Sequence, residues 1–260
     1  MFRNRRNRED PITGPAPHPS GVPLWLAGVR SAVFNVAFFT VLPLLMVLNI
    51  PALLFKTPPY YLSKICSAIA LWMSRVVCGL DYKIIGLENV PAGACVLASK
   101  HQSAWDTIVF STLYPDCSYV LKHELTKVPI YGTFIRKLGM ISIDRNRGRK
   151  AILDLREQAH KIVNQDRKII IFPEGTRTTP DDPKPYQKGV LSLYKDFNCP
   201  VIPVALNSGL FWGRRSWIKW PGEITLEFLP PMPTGLTSDE FMHLLETRIE
   251  TASDKLLKAA

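Results

Sequence analysis

A chain of 260 residues, 47% hydrophobic and 21% charged, fits one globular domain with an addition or two small domains, and excludes intrinsic disorder as its main state. Its 15 glycines and 22 prolines follow no period, which excludes a collagen-like fibre. A net charge of +10, from 32 basic and 22 acidic residues, favours phosphate-bearing partners: nucleic acid, anionic lipid or a phosphorylated substrate. Five scattered cysteines (Cys66, Cys78, Cys95, Cys117, Cys199) form no CxxC pair, which argues against a disulfide framework or a zinc site and for a reducing compartment.

Residues 1–23 carry Arg3, Arg5, Arg6 and Arg8 among prolines and read as a basic flexible leader that touches anionic headgroups. From Ser31 to Phe55 there is no charge. As a helix this run is about 37 Å long, enough for a hydrocarbon core of about 30 Å. Pro43 and Pro51 fall inside it, and Lys56, Lys64 and Arg75 follow it. Basic residues on both flanks place both on the cytoplasmic side by the positive-inside rule, which a bent or re-entrant pair satisfies, with residues 60–78 as the second arm. One ordinary transmembrane helix is the alternative, since membrane helices tolerate proline. Residues 24–78 are therefore expected to anchor the chain at a membrane.

From 79 to 260 the texture alternates. Strands are predicted at 81–87, 94–99, 118–122, 140–144, 168–172, 201–206 and 223–229, and helices at 104–114, 149–165, 187–197 and 238–257. Within 149–165 the apolar positions Ile152, Leu155, Ala159, Ile162 and Val163 have helical spacing. The alternation predicts an α/β fold: a largely parallel central sheet flanked by helices, preceded by an N-terminal hydrophobic helical membrane anchor.

Three constellations carry chemistry. The first is Lys100-His101-Gln102-Ser103-Ala104-Trp105-Asp106, just past the strand 94–99, where open α/β sheets place their sites. At a strand-to-helix turn, Asp106 can meet one imidazole nitrogen of His101, leaving the other free to take a proton from a hydroxyl. Ser103 and Asp106 also have capping-box spacing, so Asp106 can serve the helix alone. The second is Phe172-Pro173-Glu174-Gly175-Thr176-Arg177 after the strand 168–172. Gly175 permits a tight turn beside a ligand, Arg177 offers a fork suited to phosphate, and Glu174 can accept hydrogen bonds from a substrate hydroxyl. A solvated surface turn is the bland reading. The third is a run of basic residues in 119–150: Lys122, Lys127, Arg136, Lys137, Arg145, Arg147, Arg149 and Lys150, against Glu124 and Asp144. Arg145 closes the strand 140–144 and emerges at the same sheet edge as His101 and Arg177. The aromatics here form no nucleic-acid-binding signature, so no nucleic acid partner is expected. GxGxxG, Walker A, GxSxG and HExxH are all absent. Cys95 and Cys117 read as core.

The blocks HQSAWD (101–106), GMISIDR (139–145), FPEGTR (172–177) and VIPVAL (201–206), in that order, resemble the glycerolipid acyltransferases over about residues 81–229. The resemblance is strongest to members that acylate 1-acyl-sn-glycerol 3-phosphate. It implies transfer of a fatty acyl group from acyl-CoA or acyl carrier protein to the sn-2 hydroxyl of lysophosphatidic acid, giving phosphatidic acid. It implies His101 as general base, oriented by Asp106. Lys122 (in LKHEL), Arg145 and Arg177 would hold the acceptor phosphate, Glu174 the glycerol portion, with Gly175 and Thr176 in the same turn and Pro203 in the wall. Oxyanion donors are expected among backbone amides at the helix start after Ser103. No metal or bound cofactor is implied, and membrane lipids are partners, with the domain on the cytoplasmic side of a bacterial inner membrane. Lys100 departs from the asparagine that often precedes the histidine in that family. Another lyso-lipid acceptor (a lyso-ornithine lipid or a lysophospholipid), a transacylase, and a non-catalytic lipid-binding protein of the same fold are the alternatives.

Overall fold

The computed structural model describes residues 20–55, 59–179, 184–197 and 199–260; residues 1–19 of the expected leader lie outside them. Its strands are β1 (Leu80–Ile85), β2 (Val96–Ser99), β3 (Ser118–Lys122), β4 (Ile141–Ile143), β5 (Ile169–Ile171), β6 (Val201–Leu206) and β7 (Gly222–Phe228). They form one sheet in the order β1-β7-β6-β2-β5-β3-β4. The five strands from β6 to β4 pair in parallel. β7 is antiparallel to β6, and β1 runs parallel with β7, so these two oppose the rest. The expected largely parallel sheet is present, with a reversed pair at one edge.

The helices are α1 (Leu24–Leu48), α2 (Tyr60–Met73, closing in a π-helical turn through Cys78), α3 (Trp105–Leu113), α4 (Tyr131–Lys137), α5 (Arg149–Val163), α6 (Gly189–Asp196), α7 (Ser208–Phe211) and α8 (Ser238–Ala259). Strand side chains alternate between two layers. Leu97, Ile170 and Ile202 join Trp105, Phe110 and Phe228 on one face. Val96, Ala98, Ile169 and Val201 join Leu155, Leu193, Phe241 and Leu245 on the other. Each fully buried Val, Leu, Ile or Phe side chain among them contributes about 1.5–3 kcal/mol. The buried stripe of α5 is Ala151, Leu155, Ala159 and Ile162. Ile152 and Val163, expected to face the core, are only partly covered. α8 opens with a reciprocal box in which Thr237 accepts from the Glu240 amide and the Glu240 carboxylate accepts from the Thr237 amide.

The two N-terminal helices are long and apolar enough to cross a membrane. α1 begins before the uncharged run, takes in Arg30, and continues through Pro43. Pro51 instead starts a 3-10 turn, Ile50–Leu54, where its fixed φ and missing donor cost little. Both helices pack on the αβ body. α2 packs against α3 and α1, and Phe34, Leu71 and Met73 belong to the same core as the sheet. One face of α1 (Ala27, Ser31, Phe34, Asn35) is buried against the connection between β6 and β7. There Ser31 Oγ accepts from the Lys219 amide (2.8 Å), and Lys219 Nζ donates to Asn35 Oδ1 (2.6 Å). The opposite faces leave Trp25, Val36, Phe39, Leu54 and Trp72 exposed. Exposed apolar side chains in this number suit a membrane or partner contact.

Candidate active site

The parallel strands β2, β5, β3 and β4 lie side by side, and each delivers a predicted site residue at or beyond its C-terminal end. His101 follows β2, Arg177 follows β5, Lys122 ends β3 and Arg145 follows β4. This is the edge at which open α/β sheets bind ligands.

After β2 the chain turns sharply into α3, and one oxygen of Asp106 organises that turn. Asp106 Oδ2 accepts from the amides of Gln102 (2.7 Å) and Ser103 (2.8 Å), and from His101 Nδ1 (3.0 Å). Asp106 Oδ1 accepts from Ser208 Oγ at the start of α7 (2.5 Å). Four donors satisfy a carboxylate that has no solvent exposure. Asp106 thus accepts both from the amides of the loop before α3 and from the imidazole. Because Nδ1–H donates to the carboxylate, Nε2 carries the lone pair, and it has no partner among the described residues. The Phe172 ring stacks on the imidazole at 3.9 Å between centroids, fixing its plane. The expected helix-start oxyanion donors are largely spent. The Gln102 and Ser103 amides bind Asp106, and the Trp105 amide binds Ser103 Oγ.

The turn after β5 clasps this loop. Thr178 N donates to His101 O (2.8 Å), and His101 N donates to Glu174 Oε2 (2.8 Å). Glu174 Oε1 accepts from Thr178 Oγ1 (2.5 Å) and Lys100 Nζ (2.6 Å). Both Glu174 oxygens are thus engaged, its side chain is fully buried, and it does not line the cavity described below. This corrects the expectation that Glu174 binds the glycerol portion: it holds the His101 backbone instead. Lys100 also points away from the cavity. Its ammonium sits between Glu174 and Glu250 of α8 (2.7 and 2.8 Å), and Tyr186 donates to Glu250 (2.9 Å). Burial works to lower the Lys100 pKa, but the two carboxylates outweigh it and hold the pKa above its ordinary value. Burial pushes the Glu174 carboxyl up, against the pull of Lys100. Gly175 has φ +69°, and a Cβ there would come within 2.9 Å of the Arg145 guanidinium, which donates to Gly175 O. The backbone angle is what favours glycine here, since the guanidinium is the far end of a flexible side chain and can shift.

His101, Lys122, Arg145, Gly175, Thr176 and Arg177 line one cavity of about 690 Å³. That volume suits a drug-sized or lipid-headgroup ligand. Phe38 of α1 and Ser63 and Ser67 of α2 complete its wall, so it opens between the αβ body and the apolar helices. Arg177 Nε is buried without a hydrogen-bond partner among the described residues, a donor left for a ligand. Other members of the basic run do structural work. Lys137 donates to Leu53 O (2.6 Å) and to Phe55 O, Arg136 donates to Thr126 O, and Arg147 pairs with Asp154. Pro203 is buried within β6 opposite Ala98 and does not line the cavity. Among the described residues no group of three or more His, Cys, Asp or Glu side chains is placed to hold a metal ion. Sequence reasoning gave no role to Phe172 and missed Ser208, Glu250, Arg214 and Arg215, the last two also lining the cavity. Ser208 lies 102 residues from Asp106, and no local pattern joins them.

Residues 81–207 match the Acyltransferase family model, and the match holds all four sequence blocks. The 1-acyl-sn-glycerol-3-phosphate acyltransferase of Pseudomonas aeruginosa is 38% identical over 163 residues, covering 63% of this chain and 63% of that one. The enzyme of the same name from Saccharomyces cerevisiae is 27% identical over 177 residues (66% and 58%), and the human alpha form is 30% identical over 166 residues (62% and 59%). The chain therefore spans about three fifths of the length of these relatives. The crystal structure of the 1-acyl-sn-glycerophosphate acyltransferase PlsC from Thermotoga maritima superposes on 88% of this chain and 97% of that one, with TM-score 0.69 at 20% identity. The chain thus shares that fold.

Proposed function

We propose that this chain transfers a fatty acyl group from a thioester donor, acyl-CoA or acyl carrier protein, to the sn-2 hydroxyl of 1-acyl-sn-glycerol 3-phosphate, giving phosphatidate. One observation carries the reading. His101, paired with Asp106 through Nδ1, lines the cavity that also holds Lys122, Arg145 and Arg177. A proton acceptor and a set of cations facing one space suit a phosphorylated alcohol.

In the proposed mechanism the clamp binds the acceptor phosphate and sets the hydroxyl against His101. Nε2 takes the hydroxyl proton as the oxygen attacks the thioester carbonyl, and Asp106 stabilises the imidazolium formed. The Thr176 and Arg177 amides, unpartnered among the described residues, are the donors left for the tetrahedral oxyanion. Collapse breaks the carbon–sulfur bond, and the imidazolium returns its proton to the departing thiolate. Ser103 is no nucleophile in this scheme, since its hydroxyl accepts the Trp105 amide and lies off the cavity. α1 and α2 seat in the cytoplasmic leaflet of a bacterial inner membrane, which brings the cavity mouth to the acyl chains of the acceptor.

The test is an acyl-transfer assay on the detergent-purified full chain. Labelled acyl-CoA and acyl carrier protein are paired with lysophosphatidate, lyso-ornithine lipid and lysophosphatidylcholine, with His101→Ala as control. Phosphatidate from the wild type alone supports the reading and identifies the donor. Transfer only to a phosphate-free acceptor overturns the clamp. Activity retained in His101→Ala overturns the base.

A further inference from the structure

The connection between β6 and β7 carries two arginines that the mechanism above does not use. Ser216 N donates to Gly213 O (3.0 Å), closing a four-residue turn with Arg214 and Arg215 at its two central positions. Arg215 has φ +57°, a left-handed conformation where glycine would be the low-cost choice. The turn is firmly mounted. Lys219 Nζ donates to Asn35 of α1 and lies over the Phe34 and Trp212 rings. Both arginines line the His101 cavity, and neither has an ion-pair or hydrogen-bond partner among the described residues. By contrast, Arg75, Arg147 and Arg156 each pair with an aspartate.

Sheet order fixes where this turn lies. β6 is on one side of β2, and β5, β3 and β4 are on the other. His101, just after β2, therefore lies between the end of β6, from which the connection bearing this turn departs, and the strand ends that carry Lys122, Arg145 and Arg177. Acyl transfer from a thioester joins two phosphorylated molecules at one base. The acceptor carries a phosphate monoester, and either donor carries a phosphate at the end of its pantetheine arm. Three cations on the clamp side already exceed the charge of one monoester.

Resting on the acyl-transfer reading, we propose that Arg214 and Arg215 form a second anion subsite that takes the pantetheine-arm phosphate of the donor. The acceptor then approaches His101 from the β5–β3–β4 side and the donor from the β6 side, so that hydroxyl and carbonyl meet at Nε2.

The experiment compares two truncated donors, acyl-phosphopantetheine and acyl-pantetheine, which differ only in that phosphate. The full-length wild type should prefer the phosphorylated donor by about tenfold in kcat/KM, the range of one charge-assisted contact. In Arg214→Gln/Arg215→Gln the two donors should converge, with KM for lysophosphatidate unchanged. Arg214→Gln/Arg215→Gly, whose glycine suits the left-handed backbone, guards against misfolding and should converge equally. A preference that survives both variants overturns the subsite. A rise in KM for lysophosphatidate instead moves these arginines to the acceptor clamp. Weakened binding to phosphatidylglycerol vesicles with donor discrimination intact makes them a headgroup contact. Equilibrium binding of the non-reactive S-alkyl phosphopantetheine against S-alkyl pantetheine separates this inference from the reaction. Were no acyl transfer found with any acceptor, a phosphate preference in binding that both variants abolish would still support the subsite, and none would overturn it.

Discussion

Replacing Lys100 with methionine removes the one cation between Glu174 and Glu250. The Glu174 side chain is fully buried, whereas that of Glu250 is 35% exposed and partly hydrated. Removing one partner of a buried ion pair costs about 3–5 kcal/mol, while the exposed half of the triad contributes no more than about 1 kcal/mol. The expected loss at neutral pH is therefore about 3–5 kcal/mol, a large share of a typical stability of about 5–15 kcal/mol. Its pH dependence has a definite sign. Burial already lifts the Glu174 carboxyl above its ordinary value of 4.5, and loss of Lys100 lifts it further. A group raised on folding contributes stability fully present below its unfolded value and lost as pH rises through its folded value. The deficit of Lys100→Met is thus smallest near pH 4.5 and grows through neutrality. Lys100 itself, raised above 10.5, stays charged throughout and adds no slope there. Lys100→Met/Glu174→Gln removes the stranded charge and should recover about 1–3 kcal/mol of the loss. Unfolding of the detergent-solubilised chain at about pH 5 and about pH 8 reads all of this. A deficit under about 1 kcal/mol, or one equal at both pH values, would show that water reaches the triad and refute the burial argument.

Four further outcomes follow from the geometry. Asp106→Asn should lower kcat about 10²- to 10⁴-fold by releasing the imidazole, and a variant within about tenfold of wild type would remove its orienting role. Arg177→Ala should raise KM for lysophosphatidate about tenfold with kcat little changed, and an unchanged KM would take Arg177 out of the clamp. Asn35→Leu takes one acceptor from the Lys219 ammonium and one donor from the Trp217 carbonyl, which still bond each other, costing about 1 kcal/mol. Hydrogen exchange across 212–220 should rise, and unchanged protection would mean that α1 does not hold this connection. Burial pushes the Cys95 and Cys117 thiols up to about 12, so iodoacetamide should label them only after unfolding, as mass spectrometry of the two peptides can establish.

The fold was legible because its signals are local. Runs such as Val201–Leu206, and the apolar spacing in 149–165, encode strand and helix in consecutive residues, and the structure places those elements within a few residues of expectation. The reversal of β7 was not legible, because strand direction is set by the path of the connection after β6 rather than by composition. The His101–Asp106 pair was legible because both partners sit in one turn. Glu174 misled because its motif reads as a ligand turn, while its burial is decided by Lys100 and Thr178 on other segments. The basic run 119–150 encoded a charge excess but not its division. Arg136 and Lys137 satisfy backbone carbonyls, and only Lys122 and Arg145 reach the cavity. Arg214 and Arg215 gave no signal, since two adjacent arginines in a loop are ordinary until sheet order sets them beside His101.

The two buried carboxylates are compensated differently, and the difference suits their tasks. Asp106 meets only amides, a hydroxyl and the imidazole N–H, with no lysine or arginine on it. Glu174 meets Lys100 directly. Neutral donors satisfy lone pairs without cancelling charge, so the field of Asp106 remains available to the imidazolium that forms when His101 takes a proton. A cation on Asp106 would spend that field before the reaction began. Glu174 has no charge to stabilise during the reaction; it fixes the His101 amide, and its own burial is the problem to be solved. An ammonium from the preceding residue solves it, and Glu250 carries the connection out to α8. A charge swap tests this division: bringing a lysine to Ser208, beside Asp106, should depress kcat while leaving the clamp's KM intact, because it neutralises the one carboxylate that the proposed chemistry needs unneutralised.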